Sequence, residues 1–325
     1  MAAKIRFGVQ TGLDNLAWDH VLEFWQFLDR ETVFDNIWTF DHFLPPMPGQ
    51  DQSGTCLEGW TALAAAAQAT ERLRLGCLVT GVTYRHPSVL AKMAATVDHI
   101  SNGRLEFGIG AAWHQPEHQA YGIPFPSVRE RSDRLEEAVQ LIRLLFHAEG
   151  PVDFQGKYYQ LQQAPFSPPC VQKPNPPIFI GGGGEKRTLR TVARYGDAIN
   201  VMGSLDLVKE KIAVLERHCA DAGRDPNEIT KSVFGPLILL DDEARAERAR
   251  TAMAGLTDSS AVAGIPSSDP PNLKDQLAIG NAAHIRGVLE RFADAGVSYF
   301  ILLSRAPYNF DIYRRISDEI VSAFA

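Results

Sequence analysis

Short apolar runs alternate with amphipathic segments along almost the whole chain. Eight of these runs have the length and the β-branched or aromatic composition of buried strands. They are Ile5–Gln10, Asn36–Phe40, Leu73–Thr80, Arg104–Gly108, Ile178–Ile180, Gly196–Met202, Ser232–Leu240 and Ser298–Leu303. Parallel strands that are covered by helices on the outside have this appearance, because both of their faces are buried.

The segments between these runs show the period of an α-helix. Leu90, Met93, Ala94, Val97 and Ile100 form one apolar stripe, and similar stripes pass through 135–146 and 285–292. Eight strands alternating with helices over a chain of this length predict a (β/α)8 TIM barrel. A doubly wound parallel sheet is the alternative, because strand order is not visible in a sequence.

Two segments interrupt the alternation. Residues 150–176 are rich in proline and aromatic residues, and we expect a small hairpin around Gln155–Gly156. Residues 241–280 contain a helix rich in Ala, Arg and Glu, followed by the polar stretch SSDPPN. Both are too long for simple connections, and long insertions on a barrel often cover its ligand site. We therefore predict one domain, 1–325, with insertions near 150–176 and 241–280.

Composition and charge narrow the class of protein. The 325 residues are 45% hydrophobic, which is enough for a large core, and the net charge of −7 disfavours nucleic acid and anionic membranes as partners. The sequence shows no membrane-spanning run and no signal-peptide pattern. Its four cysteines lack CxxC spacing, as expected for reduced thiols. These features predict a cytoplasmic protein.

The most informative segment is PIFIGGGGEKRTLRTVARYGDAIN at Pro177–Asn200. An apolar strand runs into four glycines, Gly181, Gly182, Gly183 and Gly184, and a basic helix follows. Glycines let a backbone approach an anion closely, and the start of a helix offers unpaired N–H groups. Cationic residues in the first turn oppose the helix dipole, so a bound anion would relieve a local cost. We predict a phosphate site here. A flexible linker is the alternative, but linkers seldom join a strand to a well-formed helix.

Barrels bind ligands at the carboxyl ends of their strands, and this rule selects further candidates. They are Asp41 and His42 after the second strand, residues 79–84 after the third, Gly110, Ala111 and His114 after the fourth, and Gly203 after the sixth. A flavin-like ring needs an apolar floor beside its anchored phosphate. Val79, Gly81, Trp38 and Trp113 are candidates for that floor.

The histidines among these candidates allow more than one interpretation. His42 suits proton transfer near neutral pH, whereas a structural interaction with Asp41 that closes the barrel mouth is the alternative. The segment HQPEH, with His114, Glu117 and His118, matches the spacing of a zinc motif. Pro116 and the lack of an evident third ligand argue against a metal. We predict no metal, and a structural role for Glu117 that includes pairing with an arginine.

Several segments together resemble the luciferase-like monooxygenase superfamily, and closely its branch of deazaflavin (coenzyme F420)-dependent oxidoreductases. They are FDHF at Phe40–Phe43, LEGWTALAAAA at Leu57–Ala67, the long stretch Leu75–Phe125, IFIGGGGEKRTLRTVARYGDAIN, and the closing DAGVSYFIL. The resemblance covers nearly the whole chain. It implies a barrel that binds a reduced flavin or deazaflavin against a bulge with a cis non-proline peptide bond. By the match, that bond lies between Leu78 and Val79.

The resemblance also implies an activity and a set of site residues. We expect hydride transfer between coenzyme F420 and an organic substrate. The alternative is an FMN-dependent monooxygenase that uses oxygen and reduced flavin supplied by a separate reductase. The implied catalytic residues are His42, Asp41 and His114. The implied cofactor contacts are Leu78, Val79, Gly110, Ala111, Gly181, Gly182, Gly183, Gly184 and Gly203.

The resemblance carries two further implications. The Ala-rich helix after Trp60 helps to form the dimer interface in relatives, so a homodimer is expected. Trp113 stands where a deazaflavin-dependent sugar-phosphate dehydrogenase relative has an acidic catalytic residue. That departure disfavours the same substrate, and His114 is the nearest polar replacement. The substrate itself is not predicted.

Overall fold

The computed structural model describes residues 4–47, 50–258 and 278–324. Eight parallel strands form a closed barrel in the order β1-β2-β3-β5-β8-β9-β10-β12, and β12 pairs with β1. These strands are β1 (Arg6–Thr11), β2 (Asn36–Thr39), β3 (Arg74–Cys77), β5 (Leu105–Gly110), β8 (Ile178–Gly181), β9 (Ala198–Val201), β10 (Thr230–Leu239) and β12 (Tyr299–Ser304). The predicted TIM barrel is confirmed, and each of the eight predicted strands contributes to it.

Helices connect the strands, as the apolar stripes predict. They are α1 (Trp18–Glu31), α2 (Gly59–Ala69), α3 (Pro87–Ile100), α4 (Gln115–Ala120), α5 (Val128–Phe146), α6 (Thr188–Tyr195), α7 (Leu205–Ala222), α8 (Glu243–Asp258), α9 (Ala282–Asp294) and α10 (Phe310–Glu319). The buried residues of α5 and α9 are the apolar stripes of the sequence. Within the described residues, the model contains no helix long and apolar enough to cross a membrane.

The third predicted strand is divided in two. The cis peptide bond Leu78–Val79 separates β3 from β4 (Thr80–Gly81), and β4 pairs with β5. The bulge is tightly packed, because a Cβ atom placed on Gly110 or Gly181 would lie only 2.7 or 2.9 Å from the Val79 side chain. These two neighbouring glycines therefore make room for the bulge that the resemblance predicts.

The two insertions differ in how they are built. In the first, β6 (Val152–Gln155) and β7 (Gln160–Ala164) form the predicted antiparallel hairpin, in which Gln155 pairs with Gln160. The second begins with the predicted Ala/Arg/Glu-rich helix, α8, whereas its SSDPPN stretch lies outside the described residues. It ends in β11 (Ala278–Gly280), which pairs with the end of β10.

The middle of the barrel is filled by aromatic and aliphatic side chains. Trp38, Phe179 and Tyr299 contact one another there, and the Nε1 atom of Trp38 donates to the hydroxyl of Tyr299 at 3.1 Å. Trp38 is fully buried. It therefore lies within this plug rather than on the open floor for a flavin-like ring, where the sequence led us to expect it.

The amino-terminal end of the barrel is closed by a buried carboxylate, Glu106. It accepts hydrogen bonds from Arg6 at 2.6 Å, Asn36 at 2.8 Å, Arg74 at 2.9 Å and the Tyr299 hydroxyl at 3.2 Å. These partners come from the starts of β1, β2, β3 and β12. The network satisfies a fully buried charge, as a carboxylate in an apolar interior requires.

This network generates a prediction of stability. Replacing Glu106 with Ala leaves the cationic groups of Arg6 and Arg74 without their anion, so we expect a loss of about 3–5 kcal/mol in the free energy of unfolding. Urea denaturation followed by circular dichroism measures the change. The control is Glu23→Ala on the exposed face of α1. A loss below about 1 kcal/mol for Glu106→Ala would contradict the role given to the network.

Candidate functional site

Parallel strand pairing brings the predicted site residues to one end of the barrel. Gly110 at the end of β5 lies opposite Gly181 of β8, and Gly181 lies opposite Asn200 of β9. The loop after β2 carries His42, and the bulge carries Val79. All of these positions lie at strand carboxyl ends, where barrels bind ligands.

The centre of this end is Glu117, a fully buried residue of α4. Its carboxylate accepts hydrogen bonds from the backbone N–H of Phe43 at 2.8 Å, from Nδ1 of His42 at 2.9 Å and from the hydroxyl of Tyr84. The sequence predicted an arginine as its partner, and that prediction is wrong. Glu117 instead joins the loop after β2 to the loop after β4.

The charge state of Glu117 follows from these contacts. Burial acts to raise its pKa, but the nearby His114 ring and the hydrogen bond and charge of His42 outweigh burial and hold the pKa well below the usual range. The pKa of Tyr84 is raised, by burial first and then by the neighbouring Glu117 charge. Glu117 is therefore an ionised acceptor, and Tyr84 is its neutral donor.

An ionised carboxylate at Nδ1 sets the tautomer of His42. Because the carboxylate only accepts hydrogen bonds, Nδ1 of His42 carries a proton, and Nε2 of the neutral ring is an acceptor. The side chain of His42 is 14% exposed, so it remains in contact with the barrel mouth. Glu117 thus binds Nδ1 of His42, and Nε2 has no hydrogen-bond partner among the described residues.

Asp41 has a different partner from the one expected. Its buried carboxylate accepts two hydrogen bonds from Arg85, at 2.6 and 3.0 Å, and Arg85 also binds Glu58. Burial raises the pKa of Asp41, and the adjacent Arg85 guanidinium opposes that shift. The alternative considered from the sequence, a structural interaction of His42 with Asp41, is not formed. Arg85 instead anchors the loop after β2.

His114 and Trp113 lie beside His42. The rings of His42 and His114 are 5.5 Å apart, and the Trp113 ring meets His42 edge to face at 5.3 Å. His114 is 5% exposed, and its Nδ1 lies 3.5 Å from Oε1 of Glu117 and has no hydrogen-bond partner among the described residues. Trp113 is 37% exposed, so an aromatic side chain forms the rim next to His42.

The zinc-like spacing of HQPEH does not produce the geometry it suggests. His114 precedes α4, and Pro116 lies in the first turn, so His114 and His118 do not share a helix face. His118 instead contacts the Thr83 hydroxyl at 2.7 Å and the carbonyl of His114 at 2.8 Å. One ring nitrogen each of His42 and His114 and a carboxylate oxygen of Glu117 do lie within 4.8 Å of one another. The sequence motif missed this group of possible ligands, and the absence of a metal stays a prediction.

The glycine loop after β8 presents free backbone donors. The N–H of Gly182 donates to Asn200, and Gly182 has φ of +123°, which favours glycine. Among the described residues, the N–H groups of Gly183 and Gly184 have no protein acceptor. Helix α6 begins after Arg187 without a side-chain cap. Unpaired amides beside a helix start suit an anion such as phosphate.

The other predicted cofactor contacts border the same end of the barrel. Leu78 and Val79 are half-buried at the bulge. The carbonyl of Ala111 accepts a hydrogen bond from Arg131 at 3.1 Å, which fixes the loop after β5. Gly203 has φ of +152°, and a Cβ there would lie 2.5 Å from Leu207. Glycine is therefore required where β9 turns into α7.

Comparison with known proteins identifies the family. The model of the luciferase-like monooxygenase family matches residues 1–301, and the chain belongs to this family. An F420-dependent glucose-6-phosphate dehydrogenase of Kineococcus radiotolerans is 31% identical over 290 residues, which are 84% of this chain and 83% of that protein. An F420-dependent hydroxymycolic acid dehydrogenase of Mycobacterium tuberculosis is 31% identical over 223 residues, covering 68% of this chain but only 59% of that protein.

Solved structures share the fold. An F420-dependent secondary alcohol dehydrogenase in complex with an F420-acetone adduct superposes with a TM-score of 0.81. It is 23% identical, and 99% of each chain is covered. At this level of identity the similarity concerns the fold. The predicted membership of the luciferase-like superfamily is confirmed.

The low pKa of Glu117 generates a prediction of pH dependence. A carboxyl whose pKa is lower in the folded than in the unfolded state stabilises the fold above its unfolded pKa, and this stabilisation is lost as the pH falls. We expect the stability difference between wild type and Glu117→Gln to shrink from about pH 5 to about pH 3. Urea midpoints of both proteins measure it. A difference that stays constant over this interval would mean that Glu117 has an ordinary pKa.

Proposed function

We propose that this chain is an oxidoreductase that transfers a hydride between coenzyme F420 and an organic substrate, with His42 handling the proton. One observation carries the proposal. The buried Glu117 orients His42 at the same barrel end where the amides of Gly183 and Gly184 have no acceptor within the described part of the chain. Relatives named as F420-dependent dehydrogenases over most of this chain support it.

The residues at this end fit a phosphate-bearing deazaflavin. The open amides of the glycine loop would hold its phosphate, since they lack protein acceptors among the described residues. The absence of side chains at Gly110 and Gly181 makes room for the Val79 bulge, against which the ring would rest. When bound, the deazaflavin supplies the carbon that accepts or donates the hydride.

The chain's own groups then manage the proton. With Nδ1 bound to Glu117, Nε2 of His42 can take a proton from a substrate hydroxyl, and the ionised carboxylate stabilises the resulting imidazolium. In the opposite direction the imidazolium returns that proton. The rim residue Trp113 covers His42 from one side, which limits access of water. His114 lies 3.5 Å from the same Glu117 carboxylate, so the Glu117 charge would also stabilise a proton on His114.

The same phosphate cradle also suits FMN, so binding experiments decide between the two cofactors. We expect F420 to bind more tightly than FMN, as followed by quenching of deazaflavin or flavin fluorescence. A titration that showed tight binding of FMN and none of F420 would favour the alternative, an FMN-dependent monooxygenase. A homodimer and a cytoplasmic location stay predictions.

Replacing His42 with Ala tests the proton-transfer role. We expect turnover to fall by about 100-fold to 10,000-fold, since general acid–base catalysis contributes factors of this size. F420 affinity should change little. The assay uses whichever alcohols or carbonyl compounds wild type converts, followed by F420 absorbance. His20→Ala on the exposed face of α1 is the matched control. Wild-type turnover by His42→Ala would remove His42 from the mechanism.

Replacing Gly183 with Val tests the phosphate cradle. A Cβ at Gly183 meets only the Lys211 side chain, at 3.5 Å, so the variant should fold. Its branched side chain would crowd the open amides, and we expect F420 affinity to fall about tenfold or more. Gly150→Val, where a Cβ has no neighbour within 4 Å, is the control. Unchanged affinity in a folded Gly183→Val protein would place the phosphate elsewhere.

A further inference from the structure

A lysine from the next helix lies across the glycine loop. Lys211 of α7 passes beside Gly183, since a Cβ built on that glycine would lie 3.5 Å from the Lys211 Cε atom. The lysine side chain is 16% exposed. Its ammonium group lies 2.6 Å from Oε1 of Glu185, the residue that follows the four glycines. The sequence pattern does not indicate Lys211 as a neighbour of the loop, because α7 is separated from the loop along the chain.

The carboxylate of Glu185 pairs with Lys211, and other cationic residues act on it by charge. The hydrogen bond and charge of Lys211, followed by the charges of Arg217 and Lys186, lower the pKa of Glu185. In addition, the side chain of His218 contacts the Glu185 carbonyl at 2.8 Å. The cation of this ion pair therefore lies beside the glycine loop, in a chain whose net charge is −7. A cation in this position attracts a further anion.

The position of the Lys211 ammonium group indicates which anion it would bind. It lies just outside the open amides of Gly183 and Gly184, so it would meet whatever is attached to a phosphate held there. In FMN the phosphate is terminal, whereas in F420 the phosphate carries a lactyl group and a chain of glutamates. Only the second cofactor offers carboxylates beyond the loop.

We propose that Lys211, held by Glu185 in the free protein, binds the carboxylates of the F420 tail beyond the phosphate. This inference rests on the proposed function. Lys211 exchanges one carboxylate partner for another, so Glu185 competes with the tail. Removing the lysine should weaken binding, and removing Glu185 should strengthen it. A merely structural ion pair predicts no such opposition, because loss of either partner would disturb the loop in the same way.

The experiment titrates each variant with three probes, F420 with its glutamates, the phosphate-free deazaflavin riboside, and FMN, and follows their fluorescence. We expect Lys211→Gln to weaken F420 binding about threefold to tenfold, with a shallower salt dependence. Glu185→Gln should tighten it about twofold to fivefold. Affinities for the riboside and FMN should stay within about twofold of wild type. Lys211→Arg should restore most of the affinity for F420.

Lys209→Gln is the matched control, because it removes the same charge from an exposed position of the same helix. Thermal midpoints show that each variant is folded. Equal F420 affinity in wild type and Lys211→Gln, or an equal loss in Lys209→Gln, overturns the assignment of Lys211 and leaves the proposed function standing. Wild type that binds no F420 overturns both. Weaker binding by both Lys211→Gln and Glu185→Gln would also overturn the competition between Glu185 and the tail.

Discussion

The functional end of this barrel depends on one buried carboxylate. Glu117 receives hydrogen bonds from Phe43, His42 and Tyr84, which belong to two different loops. A buried charge costs several kcal/mol unless it is hydrogen-bonded, so the meeting of these loops at α4 stabilises the fold. The same contacts orient His42 and leave its Nε2 atom without a partner among the described residues. The Glu117 carboxylate thus contributes both to the stability of this end of the barrel and to the orientation of His42.

The two ends of the barrel are built by contrasting means. At the amino-terminal end, Glu106 and its cationic partners close the interior with a satisfied polar network. At the carboxyl end, the glycines on β5 and β8 make room for the Val79 bulge. The first arrangement holds opposite charges together, and the second shapes the backbone where strands end. Ligand binding at the carboxyl end follows from strand direction.

Charge is distributed in a similar way. The chain is acidic as a whole, yet on the outer side of the glycine loop Lys211 pairs with Glu185, and the charges of Arg217 and Lys186 also act on that carboxylate. Attraction between an anion and such a group acts over about a Debye length, roughly 8–10 Å in physiological salt. An acidic surface elsewhere would direct an anionic cofactor toward this region rather than to other faces.

The chain's pattern alone predicted the eight strands, the hairpin and the strand ends at which ligands bind, because apolar periodicity and glycine placement are local properties. The order of the strands and their closure into a barrel rather than a doubly wound sheet are visible only in the structure. The resemblance located the bulge at Leu78–Val79. Only the tertiary structure decided which polar groups meet. Asp41 pairs with Arg85 rather than with His42, and Glu117 binds His42 rather than an arginine. Partners far apart along the chain are selected by how loops pack around a buried charge, and no local pattern encodes that choice.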